Sequence, residues 1–193
     1  MKTLDQVKTE FPQCHQIIGL LEHLHSDCAA PEQATYKTLE WLAGVIQNNA
    51  PIHTHLAFSD GQATGKSLFS KTILNNIFWR QCCSVKMNEL ENRLIIQRLN
   101  FFEIQSIKPI QEMYGAIGYA DPKKAFIFTT NQYIKPQSSN RSFRIAQCSM
   151  PLDDTLYKAV INEIKNSGLM QFADLLHTID GSTASLPNLN AIY

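Results

Sequence analysis

Glycine, lysine and serine stand side by side at the end of the run Asp60-Gly61-Gln62-Ala63-Thr64-Gly65-Lys66-Ser67. Glycine lets the backbone come close to an anion, a lysine ammonium is a compact charge for terminal phosphates, and a serine hydroxyl ligates the Mg²⁺ that accompanies them. The run follows the P-loop pattern G-x-x-x-x-G-K-[ST] with one departure: Asp60 holds the first glycine position and Gly61 comes one place late. Lys66 is therefore expected on the β- and γ-phosphates of ATP and Ser67 on Mg²⁺, with Gly61, Gln62, Ala63, Thr64, Gly65 and Leu68 completing the nucleotide loop.

Triphosphate chemistry also needs a carboxylate near the metal, to hold its shell and orient the attacking water. Glu103 in L-N-F-F-E-I is the candidate, as a metal-site and catalytic acid at the end of the neighbouring strand, although Phe102 stands where a preceding aspartate is usual. Asn131, closing F-I-F-T-T-N, is placed to hydrogen-bond the γ-phosphate or the water without adding charge. Arg141 is the candidate arginine finger, reaching the nucleotide of a neighbouring subunit, and Arg144 is a weaker one.

These residues require a strand, a turn and a helix in succession. Residues 55–58 read as a short apolar strand, and residues 67–78 as a helix burying Leu68, Ile73, Leu74 and Ile77. The runs 98–104 and 125–129 read as further strands, with a helical pattern near 109–114 between them. Ahead of the loop, residues 4–28 and 34–47 read as two helices; behind it, 153–166 and 169–178 read as two more around Ser167-Gly168. The expected fold class is α/β, a P-loop NTPase with a mostly parallel sheet flanked by helices. Three segments follow: an N-terminal helical segment at 1–50, an ATPase core at 51–150, and a C-terminal helical segment and tail at 151–193.

With 193 residues, 44% of them hydrophobic, the chain can bury one substantial core. Lys plus Arg equals Asp plus Glu at 17 each, so any contact with nucleic acid has to be local rather than carried by a global basic field. No apolar run is long enough for a membrane span and the first ten residues lack a signal-peptide core, so the expected location is cytoplasmic, without membrane partners. Five cysteines in no framework spacing predict reduced thiols. Cys14, His15, His23, His25 and Cys28 are ligand types, but Ile17, Ile18, Leu20, Leu21 and Leu24 among them read as an ordinary amphipathic helix.

Taken together, W-L-A-G-V-I-Q-N-N (41–49), L-A-F-S-D-G-Q-A-T-G-K-S-L-F (56–69), A-F-I-F-T-T-N (125–131) and N-R-S-F-R-I (140–145) resemble the superfamily 3 helicases. The resemblance is to the helicase half of primase-helicases from phages, plasmids and large DNA viruses, and it continues through residues 156–180. It implies an AAA+-type core assembled as a homo-oligomeric ring, usually a hexamer, with ATP between subunits and single-stranded DNA drawn through the centre. Lys66 and Ser67 match its Walker A residues, Glu103 the second acid of Walker B, Asn131 the sensor and Arg141 the finger. A basic hairpin on DNA would fall within residues 115–124, which makes Lys123 and Lys124 the DNA-binding candidates. A separate primase or replication protein is an expected partner.

The departures at Asp60, Phe102 and Ser142 leave two functions in competition, an ATP-driven helicase or translocase and a regulatory relative that binds ATP or DNA with little hydrolysis. A nucleotide kinase ranks below both, because such enzymes carry an arginine-rich lid and none is evident.

Overall fold

The computed structural model describes residues 3–47, 54–78, 82–86, 101–105, 125–134 and 143–182, with 82–86, 101–105, 126 and 143 as backbone. Among the described residues five strands form one sheet: β1 (His55–Ser59), β2 (Cys82–Lys86), β3 (Phe101–Gln105), β4 (Ala125–Thr129) and β5 (Phe143–Gln147). All pairings are parallel and the order is β2-β3-β4-β1-β5. Every residue of β1 is buried, as a strand covered on both faces requires, and its continuous apolar run is the signal that makes it readable.

Helix α1 (Leu4–Glu10) opens with a capping box in which Gln6 N donates to Thr3 Oγ1 at 3.3 Å and Thr3 N donates to Gln6 Oε1 at 3.0 Å. The single helix expected over residues 4–28 is interrupted: α1 stops, Phe11 takes φ −121° and ψ 66°, and a 3₁₀ turn at Pro12–Cys14 leads into α2 (His15–His23). Pro12 is the cause, since it has no N–H and its ring clashes with the preceding turn. The N–H groups at the start of α2, which have no partner within the helix, are met from far along the chain, where the Glu163 carboxylate accepts from Gln16 N at 2.8 Å and Ile17 N at 2.9 Å.

Helix α3 (Pro31–Gln47) begins three residues earlier than expected, with proline in its first turn where the missing N–H does no harm. Trp41 Nε1 donates to Thr54 O at 2.8 Å, and the Gln47 amide donates to Leu176 O at 2.8 Å and Ile179 O at 2.7 Å. The far end of the described chain seats against the same helix: a Cβ on Gly181 would lie 2.4 Å from Gly44 N, so only glycine fits. Among the described residues no helix is long and apolar enough to cross a membrane.

Helix α4 covers residues 66–77, with Leu68–Leu74 wound as a π-helix and Asn75–Ile77 as α-helix. Its buried apolar set is Phe69, Ile73 and Leu74, with Lys66 and Ser70 also buried, whereas Leu68 and Ile77, expected inside, are half-buried. The i→i+5 winding changes which side chains line up along the helix, and Phe69 belongs to the core. There Phe69 meets Phe58 of β1 edge-on at 5.6 Å and Phe172 at 6.3 Å between ring centres. Helices α5 (Asp154–Lys165) and α6 (Gly168–Thr178) close the fold, with α2 against α5 and α3 against α6. One hydrophobic core runs from Leu4 and Val7 through Leu56 and Phe69 to Phe172 and Ile179.

Candidate nucleotide site

Ligands of open parallel sheets bind beyond the carboxyl ends of the strands. The loop that leaves β1 at that edge is built from left-handed backbone: Asp60 has φ 70°, Gly61 35°, Ala63 58° and Gly65 92°. Glycine reaches this region freely and aspartate is among the few other residues that tolerate it, which explains how Asp60 can occupy a glycine position. Its Oδ1 also accepts from Gly61 N at 2.9 Å. Gly61 has no room for a side chain, because a Cβ there would lie 2.7 Å from Cys148 O and 2.8 Å from Ser149 O. At Gly65 a Cβ would come within 2.7 Å of Leu20 Cδ1.

Neighbouring segments clamp the loop. Asp60 N donates to Gln132 O at 3.2 Å, just past β4, and Leu152 N, just past β5, donates to Ala63 O at 2.9 Å. Lys66 is 6% exposed and folds back into its own loop, donating to Asp60 O at 2.6 Å, to Thr64 Oγ1 at 3.0 Å, and to Gly61 O. Three donors thus meet three loop oxygens, the arrangement of a cation held ready where an anion would replace those acceptors. Burial lowers the pKa of its ammonium. Ser67 beside it is exposed.

A cavity of about 410 Å³, within the size range of small-ligand sites, is lined by Ala63 through Leu68. Asn131, Leu152, Asp154 and Tyr157 complete the lining. The structure therefore brings Lys66, Ser67 and Asn131 to one place. Asn131 arrives there because β4 pairs directly with β1, Phe58 level with Thr129, and because Thr130 N donates to Phe58 O at 3.0 Å. Leu152, Asp154 and Tyr157 escape sequence reasoning. Their only signal is that a chain leaving β5, parallel to β1, emerges at the same edge as the loop.

The placement of Glu103 differs from expectation. The strand next to β1 is β4, so β3 lies one strand further out. Glu103 is the third of five residues in β3, on a rung with Ile127 and Leu56, and the strand continues to Gln105, level with Thr129 and Phe58. A strand-end position beside the loop is therefore not what the register provides. Arg144 differs as well. It is 4% exposed on β5, and its Nη1 donates to Lys37 O at 3.1 Å while Nε has no partner among the described residues. Its side chain is thus engaged by α3 within the same chain. Arg141, Lys123, Lys124 and Ser142 lie outside the described residues.

The histidines and cysteines near the N-terminus gather no metal site; among the described residues no three ligand-type side chains do. His25 is fully buried, with Nδ1 2.7 Å from Leu21 O and Nε2 2.9 Å from Thr38 Oγ1. Burial lowers its pKa to about 4, so at neutral pH the ring is uncharged, donating from Nδ1 and accepting at Nε2. Burial pushes the Cys14 thiol up to about 12 and raises Cys28 and Cys148, which leaves all three as unreactive thiols.

No family model matches the chain and no curated protein matches it. Solved structures do. The apo structure of the NrS-1 C-terminal region (305–718) superposes with a TM-score of 0.67 at 14% identity, over 92% of this chain and 49% of that one. Two A-form apo structures of the same region give 0.66 at 17% identity, over 88% of this chain and 47% and 46% of theirs. The chain spans about half the length of these neighbours. At such identities the likeness is one of fold, and this chain shares the fold of part of the NrS-1 C-terminal region.

Proposed function

We propose that this chain binds ATP with Mg²⁺ as a superfamily 3 helicase-type protein of a phage or other mobile element, acting in DNA replication. The observation that carries the reading is the convergence of Lys66, Ser67 and Asn131 on one cavity at the carboxyl edge of a parallel sheet. On binding, Lys66 exchanges its loop oxygens for the β- and γ-phosphates, the Ser67 hydroxyl joins the Mg²⁺ shell, and Asn131 faces the terminal phosphate. The metal supplies charge neutralisation of the phosphates; the loop supplies oriented N–H groups and the start of α4. Assembly as a hexameric ring, Arg141 as a finger between subunits, and single-stranded DNA on Lys123 and Lys124 belong to the same reading. So does a separate primase or replication partner.

Within it, one observation favours ATP binding with weak hydrolysis over a fast motor. Phe102 stands at the usual aspartate position, and Glu103 lies mid-strand on a rung with Leu56, behind the edge where the loop turns. Calorimetry with Mg-ATP tests the core of the proposal. The expected result is saturable binding at one site per chain, weakened about 100-fold or more by Lys66→Ala because a buried charged partner of the phosphates is removed. No binding by the wild-type chain overturns it. Turnover measured with single-stranded DNA, against the Lys66→Ala protein as blank, then separates slow from fast hydrolysis.

A further inference from the structure

Besides the loop and Asn131, the cavity is lined by three residues that follow β5, Leu152, Asp154 and Tyr157. Tyr157 is a large aromatic left 46% exposed, yet its backbone is fixed. Asp153 caps α5, its carboxylate accepting from Thr155 N at 2.8 Å and Leu156 N at 3.2 Å, and Tyr157 N donates to Asp153 O at 2.9 Å. The bond from Leu152 N to Ala63 O, 2.9 Å, ties this wall to the phosphate loop itself. The Tyr157 ring is not part of the hydrophobic core, and it lines the same cavity as Lys66 and Ser67.

We propose that Leu152 and Tyr157 form the nucleobase platform of this site, so that its ligand is a nucleoside triphosphate with a purine preferred. The proposal rests on reading residues 60–67 as a triphosphate loop. A flat, half-exposed ring beside aliphatic side chains suits the face of a base, and stacking on an aromatic is sequence-tolerant but stronger for the larger purine surface. Asp154 pairs with Lys158 at 2.6 Å, so its charge is met on its own helix. One carboxylate face remains an acceptor for an exocyclic amino group.

Calorimetry of the full chain in Mg²⁺ with ATP, CTP and inorganic tripolyphosphate tests this, comparing wild type with Tyr157→Ala and Tyr157→Phe. The expected pattern is ATP tighter than CTP in the wild type, and Tyr157→Ala weakening ATP about ten-fold while tripolyphosphate affinity is unchanged. Tyr157→Phe should retain wild-type values. Unchanged ATP affinity in Tyr157→Ala, or an equal loss for tripolyphosphate, overturns the platform. A wild-type chain that binds tripolyphosphate as tightly as ATP removes the platform and leaves the loop reading standing. One that binds neither removes the loop reading itself.

Discussion

The loop that leaves β1 and the strand β3 belong to the same parallel-sheet fold, yet what holds them in place differs. The loop is specified locally: four left-handed residues, two glycines without space for a Cβ, and a lysine that satisfies its own loop oxygens all lie within residues 60–66. Clamps from Gln132 and Leu152 then fix it to its neighbours. Glu103 depends instead on register, and the pairing of β3 with β4 and of β4 with β1 sets it level with Leu56. The difference teaches that the shape of the loop and the placement of Glu103 have separate physical causes in this fold.

The largest expected effect breaks or confirms that separation directly. Lys66→Ala should lower ATP affinity about 100-fold or more, while Glu103→Gln should leave the dissociation constant within about two-fold and change only turnover. Paired binding and single-turnover measurements decide it. A Glu103→Gln protein that loses affinity as badly as Lys66→Ala would merge the two regions into one site. Phe102→Asp sharpens the same contrast, since a gain of hydrolysis without a gain in affinity is the outcome for an acid missing from an otherwise complete grip.

Gly61→Ala comes next. Its Cβ would meet two backbone oxygens, Cys148 O at 2.7 Å and Ser149 O at 2.8 Å, which cannot swing aside as a flexible side chain can. A destabilisation of about 2–3 kcal/mol is expected, with ATP binding lost alongside, read from urea unfolding and calorimetry on the same protein. Wild-type stability would show that the loop is looser than its clamps imply.

The parts legible from sequence are those with local causes. Residues 60–67 announce the loop because Asp60, Gly61, Ala63 and Gly65 answer to left-handed backbone geometry and Gly65-Lys66-Ser67 follows the P-loop pattern. The start of α5 is legible to within a residue because Asp153 is a cap, and the break before α6 because a Cβ at Gly168 would lie 2.7 Å from Glu163 O. What stays hidden depends on distant partners. The rung on which Glu103 falls is set by two strand pairings, the inward turn of Arg144 by α3 lying over β5, and the arrival of Leu152 and Tyr157 by which element follows β5. Pro12 could have marked the end of α1, but apolar periodicity on both sides of it suggested one helix.

Acid should loosen the loop's supports before it touches the loop. His25 is buried edge-on to Phe58 of β1 at 6.3 Å, and its pKa falls from 6.5 to about 4 on burial. A depressed folded-state pKa favours the neutral ring in the native state, so this stability is fully present above pH 6.5 and is lost as pH falls toward 4. Between pH 7 and 4.5 the loss attributable to this group is roughly 2 kcal/mol. Urea unfolding at the two pH values measures it, and His25→Gln should flatten the difference. An unchanged slope in that variant would assign acid sensitivity to other groups.

The smallest effect belongs to Asp60. At φ 70° a glycine would relieve the strain of a left-handed aspartate, but it would also add freedom to the unfolded chain and delete the bond from Gly61 N to Oδ1. These terms oppose one another, so Asp60→Gly should shift stability by only about 0.5 kcal/mol in either direction. Affinity is the more informative readout. The Asp60 carboxylate supports the ammonium of Lys66 through its charge, against the desolvation that dominates there, and an incoming triphosphate meets that same negative charge. Removing it should tighten ATP binding about three-fold at low salt and less as salt screens the pair. A weakened affinity would mean that the carboxylate keeps Lys66 charged and the loop open for the ligand. In that case the irregular first position is a working part of the grip, and its departure from glycine is the price of a lysine buried this deeply.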